Sequence, residues 1–234
     1  MLQLREIPYL ASRSLTFQPI MRVFQSDIDN RVRVIDKVNG GKSDALNAGI
    51  ALSHHPWFCC IDADTILMPD ALNKMMSRVQ ADPSIVGLAG HVRVRNRPEE
   101  SLLLVPAQNA EYVRSFVMER IGWSILQGLV IVPGAFSLFS RQAVCEVGGY
   151  SGKMPTEDVE LVLKLHRHYL EQGRIYRIDY VPDAVAFTEV PNNLRNLARQ
   201  RMRWYRGLWI TICRHRDMLW RAQYKIVGLF LSNE

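Results

Sequence analysis

Along this chain, short apolar runs alternate with longer stretches in which apolar residues recur at helical spacing, the pattern of an α/β fold. Trp57-Phe58-Cys59-Cys60-Ile61 is a continuous apolar run with aromatic and β-branched members. It predicts a strand covered on both faces, as in a parallel sheet. Val32-Arg33-Val34-Ile35 predicts a short strand ahead of it. Between the two, a helix is expected over 43–52, with Ser43 as N-cap and Ala45, Leu46, Gly49 and Ile50 on its inner face. Strand, glycine turn, helix and strand would form a β-α-β unit with a right-handed crossover.

Further on, Leu72, Met75, Met76 and Val79 recur at helical spacing after Pro69, until Asp82-Pro83 stops the pattern. Residues 85–95 read as a strand in which His91, Arg93 and Arg95 alternate with Val92 and Val94, placing His91 at a surface or pocket edge. A helix is expected over 108–123, with Glu111, Arg114, Glu119 and Arg120 as its solvated face. Residues 121–140 carry no charge, about the length of a membrane span. Ser124, Gln127, Ser137 and the Pro133-Gly134 pair divide them, so a buried helix end, a turn and a strand over 135–140 are predicted instead. Gly148-Gly149-Tyr150 is a turn, 159–170 a helix striped by Leu161, Val162, Leu165 and Tyr169, and 175–181 with 184–188 the last strands. Residues 1–25, with Pro8 and Pro19, show no persistent period and are expected to belong to a poorly defined flank reaching residue 31.

The candidate chemistry sits at the ends of these elements. Ligands of open α/β sheets bind beyond the carboxyl ends of the strands, where Asp62 and Asp64 follow the run 57–61. On an extended chain, alternate side chains share a side, so the two carboxylates could converge on one cation. Hard oxygens suit Mg²⁺ or Mn²⁺, which prefer to share coordination with a substrate phosphate. A solvated turn is the plainer alternative. Asn39-Gly40-Gly41-Lys42-Ser43 places a lysine at a helix N-terminus, where backbone N–H groups could cradle phosphate; the spacing is not that of a nucleotide-binding P-loop. Thr156-Glu157-Asp158 opens the helix at 159–170. Thr156 as cap and two acids complementing the dipole account for it structurally, and a general base accounts for it functionally.

Charge changes the picture at the C-terminal end. The net charge is +6, and residues 195–225 hold nine Lys/Arg against the single acid Asp217. Leu194, Leu197, Ala198, Tyr205, Leu208, Trp209 and Ile212 mark one side of a helix there, and Arg195, Arg199, Arg203 and Arg206 another. Such a basic amphipathic helix suits a membrane interface, and on charge alone it also suits nucleic acid. The four cysteines have no metal-ligand spacing and read as reduced, buried thiols of a protein facing the cytosol. His166 and His168 face different ways on one helix. The first residues lack an apolar h-region, so no signal peptide is expected.

Taken in order, Asn39-Gly40-Gly41-Lys42, Asp62-Ala63-Asp64, Thr156-Glu157-Asp158 and Gln200-Arg201-Met202-Arg203-Trp204 resemble the motifs of the processive family-2 glycosyltransferases, the synthases of hyaluronan, cellulose, chitin and bacterial poly-N-acetylglucosamine. Gln108-Asn109-Ala110-Glu111-Tyr112, Val132-Pro133-Gly134-Ala135 and Thr188-Glu189-Val190-Pro191 extend the likeness to the poly-N-acetylglucosamine synthase branch. The resemblance implies a GT-A fold with a mainly parallel central sheet, a UDP-sugar donor, a polysaccharide acceptor and Mg²⁺ or Mn²⁺. It implies that Asp64 ligates the metal, that Asp62 and Lys42 hold the donor, and that Asp158 is the base with Glu157 beside it. Gln200, Arg203 and Trp204 would shape the acceptor and diphosphate side. It further implies a place on the cytoplasmic face of the plasma or inner membrane, with accessory synthase subunits as partners and no nucleic acid. The domain reading is a flank at 1–31, a catalytic core at 32–193 and a basic helical region at 194–234. Residues 1–31 hold no counterpart of the family's opening motif, and 224–231 are at most the start of a membrane helix. The expectation is therefore a domain without its first strands, and an inactive fragment is the alternative to a working enzyme.

Overall fold

The computed structural model describes residues 3–12, 14–97, 101–152 and 154–228. Three antiparallel strands come first, β1 (Leu4–Ile7), β2 (Ile20–Ser26) and β3 (Arg33–Lys37), in the order β1-β2-β3. The segment expected to be a formless flank thus contributes two paired strands. Its sequence hides them because both faces of this sheet are largely open: only Val23 and Ser26 of its strands are buried, so no alternation of apolar and polar residues is required.

Helix α1 (Lys42–Leu52) leaves β3 and leads to β4 (Trp57–Ile61). Strand β4 belongs to a second sheet, so the expected β-α-β unit does not form. The inner face of α1 is also rotated from the predicted one: Ser43, Asp44, Asn47, Ala48, Ile50 and Ala51 are buried, and Ala45 is exposed. Polar side chains anchor it. Asp44 accepts the Gln18 N–H at 2.7 Å and pairs with Lys37, which ties α1 to the first sheet. Asn47 donates to the carbonyls of Thr16 (3.1 Å) and Tyr150 (2.9 Å) and accepts the Tyr150 N–H (2.9 Å). A helix whose buried face is half polar escapes a hydrophobic-period reading.

The second sheet contains β4, β5 (Ile66–Leu67), β6 (Ile85–Val94), β7 (Phe136–Ser140) and β8 (Arg177–Thr188), in the order β4-β7-β6-β8-β5. Only β6 and β8 run parallel; the other three pairings are antiparallel, so the sheet is mixed and the mainly parallel expectation is corrected. A strand covered on both faces looks the same whichever way its neighbours run, so the apolar runs could not reveal direction. Strand β4 is moreover an edge of this sheet, with Cys60 its one fully buried residue.

Helix α2 (Ala71–Ala81) packs Met75 into the core, while Leu72 is exposed. Helix α3 (Leu104–Val113) runs through a π-helical turn (Arg114–Glu119) into α4 (Arg120–Ile125). Helices α5 (Arg141–Glu146), α6 (Glu157–Glu171) and α7 (Leu194–Arg214) complete the fold. Phe136, Leu138 and Phe139 of β7 meet Leu88 and Ala89 of β6 and Leu161, Val162 and Leu165 of α6 in one apolar core.

Two polar residues lie deeper than expected. His91 is buried, its Nδ1 lying 2.9 Å from the Pro182 carbonyl and its ring stacked on Phe116. An irregularity in the β6–β8 pairing at Gly90/His91 accommodates that contact. Arg120, expected on a solvated face, is also buried, with its guanidinium 3.6 Å from the centroid of Phe116.

His166 is enclosed on α6. The Leu129 carbonyl, 3.0 Å from Nε2, requires a donor there, so Nδ1 accepts from the Tyr176 hydroxyl at 2.6 Å. Burial pushes its pKa down to about 4, with the Leu129 contact opposing. The unfolded chain therefore takes up this proton first as pH falls below about 6.5, and stability is lost from there down to about 4. Urea midpoints measured between pH 7 and pH 4.5 are expected to fall less steeply in His166→Gln than in the wild type. The stabilisation at stake is about 3 kcal/mol at most.

Candidate active site

The site is assembled where α1, the turn after β4 and the start of α6 meet. Gly41 caps α1 with φ of +86°, a left-handed backbone that glycine adopts without strain. A Cβ on Gly40 would lie 2.4 Å from the Asp44 carboxyl carbon. The glycine pair is explained by this turn, and Ser43 is a buried residue within the first turn of the helix, not its cap.

The turn delivers Lys42, whose ammonium donates to Asp62 Oδ1 (2.6 Å) and pairs with Glu157 Oε1 (3.1 Å). Burial opposes its charge, but hydrogen bonds and the charges of Asp62 and Glu157 outweigh that and raise its pKa. One cation thus joins the aspartate after β4 to the acids that open α6.

Asp62 and Asp64 occupy a turn closed by the Thr65 N–H to the Asp62 carbonyl at 3.0 Å, so they do not share a side through strand alternation. Asp62 turns to Lys42, and exposed Asp64 accepts the Thr188 hydroxyl at the end of β8, 3.3 Å away. Asp158 is partly buried. Its Oδ1 takes the Val159 N–H at 2.9 Å and its Oδ2 the Gly134 N–H at 3.1 Å. Loss of water and the neighbouring Glu157 raise its carboxyl above the ordinary range, while the two N–H groups and Lys42 oppose the rise. A carboxylate so held can accept a proton near neutrality more readily than an exposed one.

Thr156 does not cap α6 with its side chain; its hydroxyl lies 3.3 Å from that of Thr211 on α7. Helix α7 crosses here at Gly207, where a Cβ would meet Thr156 Cγ2 at 2.5 Å and its backbone nitrogen at 3.0 Å. Fully buried contact on α7 is limited to Gly207 and Thr211, while Leu194, Met202, Tyr205 and Trp209 of its expected apolar side and flank stand exposed. Gln200 and Trp204 are partly buried and Arg203 is exposed. Among the described residues, none of these three bonds to the carboxylates. Their neighbour Arg201 anchors the helix instead, with a bidentate pair to Glu111 (2.6 Å for each bond) and its guanidinium 4.7 Å from the Trp204 ring.

Arg201, Gly134, Thr188 and Asn47 were not singled out from the sequence as site residues. Gly134, Thr188 and Glu111 do lie in the three further motifs that carry the likeness to the synthase branch, so a signal for them existed.

Asp62 and Asp64 offer hard oxygens suited to Mg²⁺ or Mn²⁺. Among the described residues no group of three or more His, Cys, Asp or Glu is arranged to hold a metal. The donor set therefore fits an ion held by one or two carboxylates and completed by substrate phosphate and water. A cleft of about 590 Å³ lies elsewhere, between the first sheet and the end of α1, lined by Val23, Arg33, Ile35, His54 and His55 among others. It touches none of the acids.

A sequence profile described as glycosyltransferase-like family 2 matches residues 16–207. The chain belongs to this family. Two of its curated relatives are poly-β-1,6-N-acetyl-D-glucosamine synthases, that of Staphylococcus aureus strain COL, 35% identical over 72% of this chain, and that of Staphylococcus epidermidis, 32% identical over 73%. The chain spans 39% of the length of each. Among solved structures, the Pyrobaculum calidifontis mannosyltransferase PcManGT, in complex with GDP-Man and Mn²⁺, aligns with a TM-score of 0.60 at 20% identity. That alignment covers 82% of this chain and 49% of the mannosyltransferase, and establishes the GT-A-like fold of this family-2 domain.

Crowding at the α6–α7 crossing is directly testable. Gly207→Ala is expected to cost about 1–3 kcal/mol, and Thr156→Ala in the same chain is expected to recover part of that loss. Chemical denaturation of the two single variants and the double variant measures the coupling.

Proposed function

We propose that this chain is the catalytic part of an inverting hexosyltransferase that passes a sugar, N-acetylglucosamine, from a UDP donor to a growing β-linked polysaccharide. The observation that carries the reading is Asp158, raised toward neutrality, fixed by two backbone N–H groups, and linked through Glu157 and Lys42 to the aspartate after β4. The choice of sugar is drawn from the two curated synthases, which are 35% and 32% identical to this chain over 72% and 73% of its length.

In this mechanism Asp158 takes the proton of the acceptor hydroxyl as its oxygen attacks the anomeric carbon. UDP leaves from the opposite face, so configuration inverts and no covalent sugar–enzyme intermediate forms. Lys42 turns from Asp62 toward the donor diphosphate, where its charge offsets the negative charge of the leaving group. Asp64 would hold Mg²⁺ or Mn²⁺, which when bound supplies further charge neutralisation at the diphosphate. Trp204 presents a flat ring to the acceptor, Arg203 reaches the diphosphate side, and Gln200 lines the acceptor end.

The surface of α7 supports a place on the cytoplasmic face of the plasma or inner membrane. Tyr205 and Trp209 stand exposed beside Arg203 and Arg206, which suits a helix lying in the lipid headgroup region. No helix among the described residues is long and apolar enough to cross a membrane. Part of the apolar run 224–231, residues 229–231, lies outside the described residues. Accessory synthase subunits remain partners in this proposal, on the strength of the family resemblance.

Asp158→Asn tests the central role. It is expected to lower transfer by about 10²- to 10⁴-fold while Mn²⁺-dependent UDP binding persists. Since burial and Glu157 raise the Asp158 carboxyl, wild-type kcat should climb with pH along a limb above the usual aspartate range, as the base loses its proton. Radiolabelled sugar incorporation across pH 4.5–8, with UDP titration of the same samples, measures both. Transfer by Asp158→Asn at the wild-type rate would remove Asp158 as base.

A further inference from the structure

Arg120 is a buried cation beside this site without a carboxylate of its own. Its residue surface is 8% exposed, and among the described residues it forms no ion pair. Its guanidinium lies on Phe116, donates from Nη1 to the Ser115 hydroxyl at 2.7 Å, and donates from Nε to the Ile131 carbonyl at 3.4 Å. Burial pulls its pKa down to about 10. Such a group is destabilising unless its contacts and the surrounding field compensate it.

What it holds gives it a use. Ile131 belongs to a stretch outside helix and sheet that leads from α4 to β7, in which Leu129, Val130 and Val132 are fully buried. The stretch is gripped at its start by His166 Nε2 on the Leu129 carbonyl, 3.0 Å away. Arg120 grips it at Ile131. Three residues later, Gly134 N–H reaches the Asp158 carboxylate. A Cβ placed on Gly134 would lie 3.2 Å from the Lys42 ammonium and 3.6 Å from Asp158 Oδ2, so this backbone forms a wall of the site.

We infer that Arg120 is a positioning residue: by holding the Ile131 carbonyl it fixes the wall at Gly134 and keeps that N–H aimed at Asp158. No atom of Arg120 needs to touch substrate. Its charge acts on the same carboxylate through the protein interior. The groups that act on Asp158 are Glu157 on α6, Lys42 on α1, Tyr150 on the Gly148–Tyr150 turn and Arg120 on α4, with Asp62 reached through Lys42.

The test uses the full chain with Arg120→Gln, Arg120→Lys and Ser115→Ala. The first readout is amide hydrogen exchange over residues 131–136, which needs no assumption about the reaction. Arg120→Gln is expected to speed exchange there by about tenfold, with peptides from β6 unchanged, and Arg120→Lys to recover part of the protection. The second readout rests on the role proposed for Asp158. With the N–H contact loosened and a positive charge removed, the acid limb of kcat should move to higher pH in Arg120→Gln, move back in Arg120→Lys, and leave KM for the donor unchanged. Should Arg120→Gln fail to fold, Ser115→Ala frees one of the two guanidinium hydrogen bonds with little change in volume, and faster exchange confined to 131–136 is expected of it. Native-like exchange over 131–136 in a folded Arg120→Gln, or in Ser115→Ala if that variant alone folds, overturns the inference. Loss of protection in a chain that transfers no sugar at any pH would uphold the positioning role and count against the proposed reaction instead.

Discussion

The site depends on one ammonium group. Asp62, Glu157 and Asp158 come from two distant parts of the chain, and gathering carboxylates in a partly water-excluded space is unfavourable unless a cation lies among them. Lys42 supplies it, bonded to Asp62 and paired with Glu157. Its position follows from a left-handed glycine, from a helix that begins at Lys42 itself, and from the polar anchors Asp44 and Asn47 that fix the rotation of that helix. In the proposed reaction the same ammonium would turn to a phosphate, and among the described residues its tip is held by the Asp62 and Glu157 side chains and by no backbone contact.

Around this pair the fold divides its labour. The mixed sheet and α6 form a dry core that sets the start of α6 in place, so Asp158 is held by backbone groups on both of its oxygens. Helix α7 touches that core through small residues at Gly207 and Thr211 and through the Arg201–Glu111 pair. Leu208 and Ile212 pack against the smaller apolar cluster around Val159 and Leu163, while Leu194, Met202, Tyr205 and Trp209 are left facing outward. In the proposed function, a helix attached in this manner would carry Gln200, Arg203 and Trp204 at the acceptor and diphosphate side while offering its other side to another surface.

Much of this was legible in the sequence wherever a residue type has a narrow chemical use. Asp62, Glu157, Asp158 and Lys42 were recognisable as acids and a base at element ends, and the structure brings these four together; Asp64, on the same turn, faces Thr188. The order of the motifs carried the family, the strand at 57–61 followed from its apolar run and that at 85–94 from alternation of polar and apolar residues, and the strand at 136–140 was also expected. What stayed hidden was set by packing across the chain. Strand direction leaves no trace in a run buried on both faces, β1 and β2 leave none because their sheet is largely open on both faces, and the buried side of α1 is half polar. His91 and Arg120 read as surface residues because the Pro182 carbonyl that meets the first, and the stretch at Ile131 that meets the second, come from outside their own elements.

The most direct test of the account is a crystal structure of this chain with UDP and Mn²⁺, in which anomalous scattering locates the metal. The account predicts a manganese peak at Asp64, the diphosphate beside it, and the Lys42 ammonium moved from Asp62 toward the phosphates with Asp158 still bonded to Gly134. UDP lodged in the cleft beside Arg33, His54 and His55, with Asp64 unliganded and Lys42 still on Asp62, would contradict it.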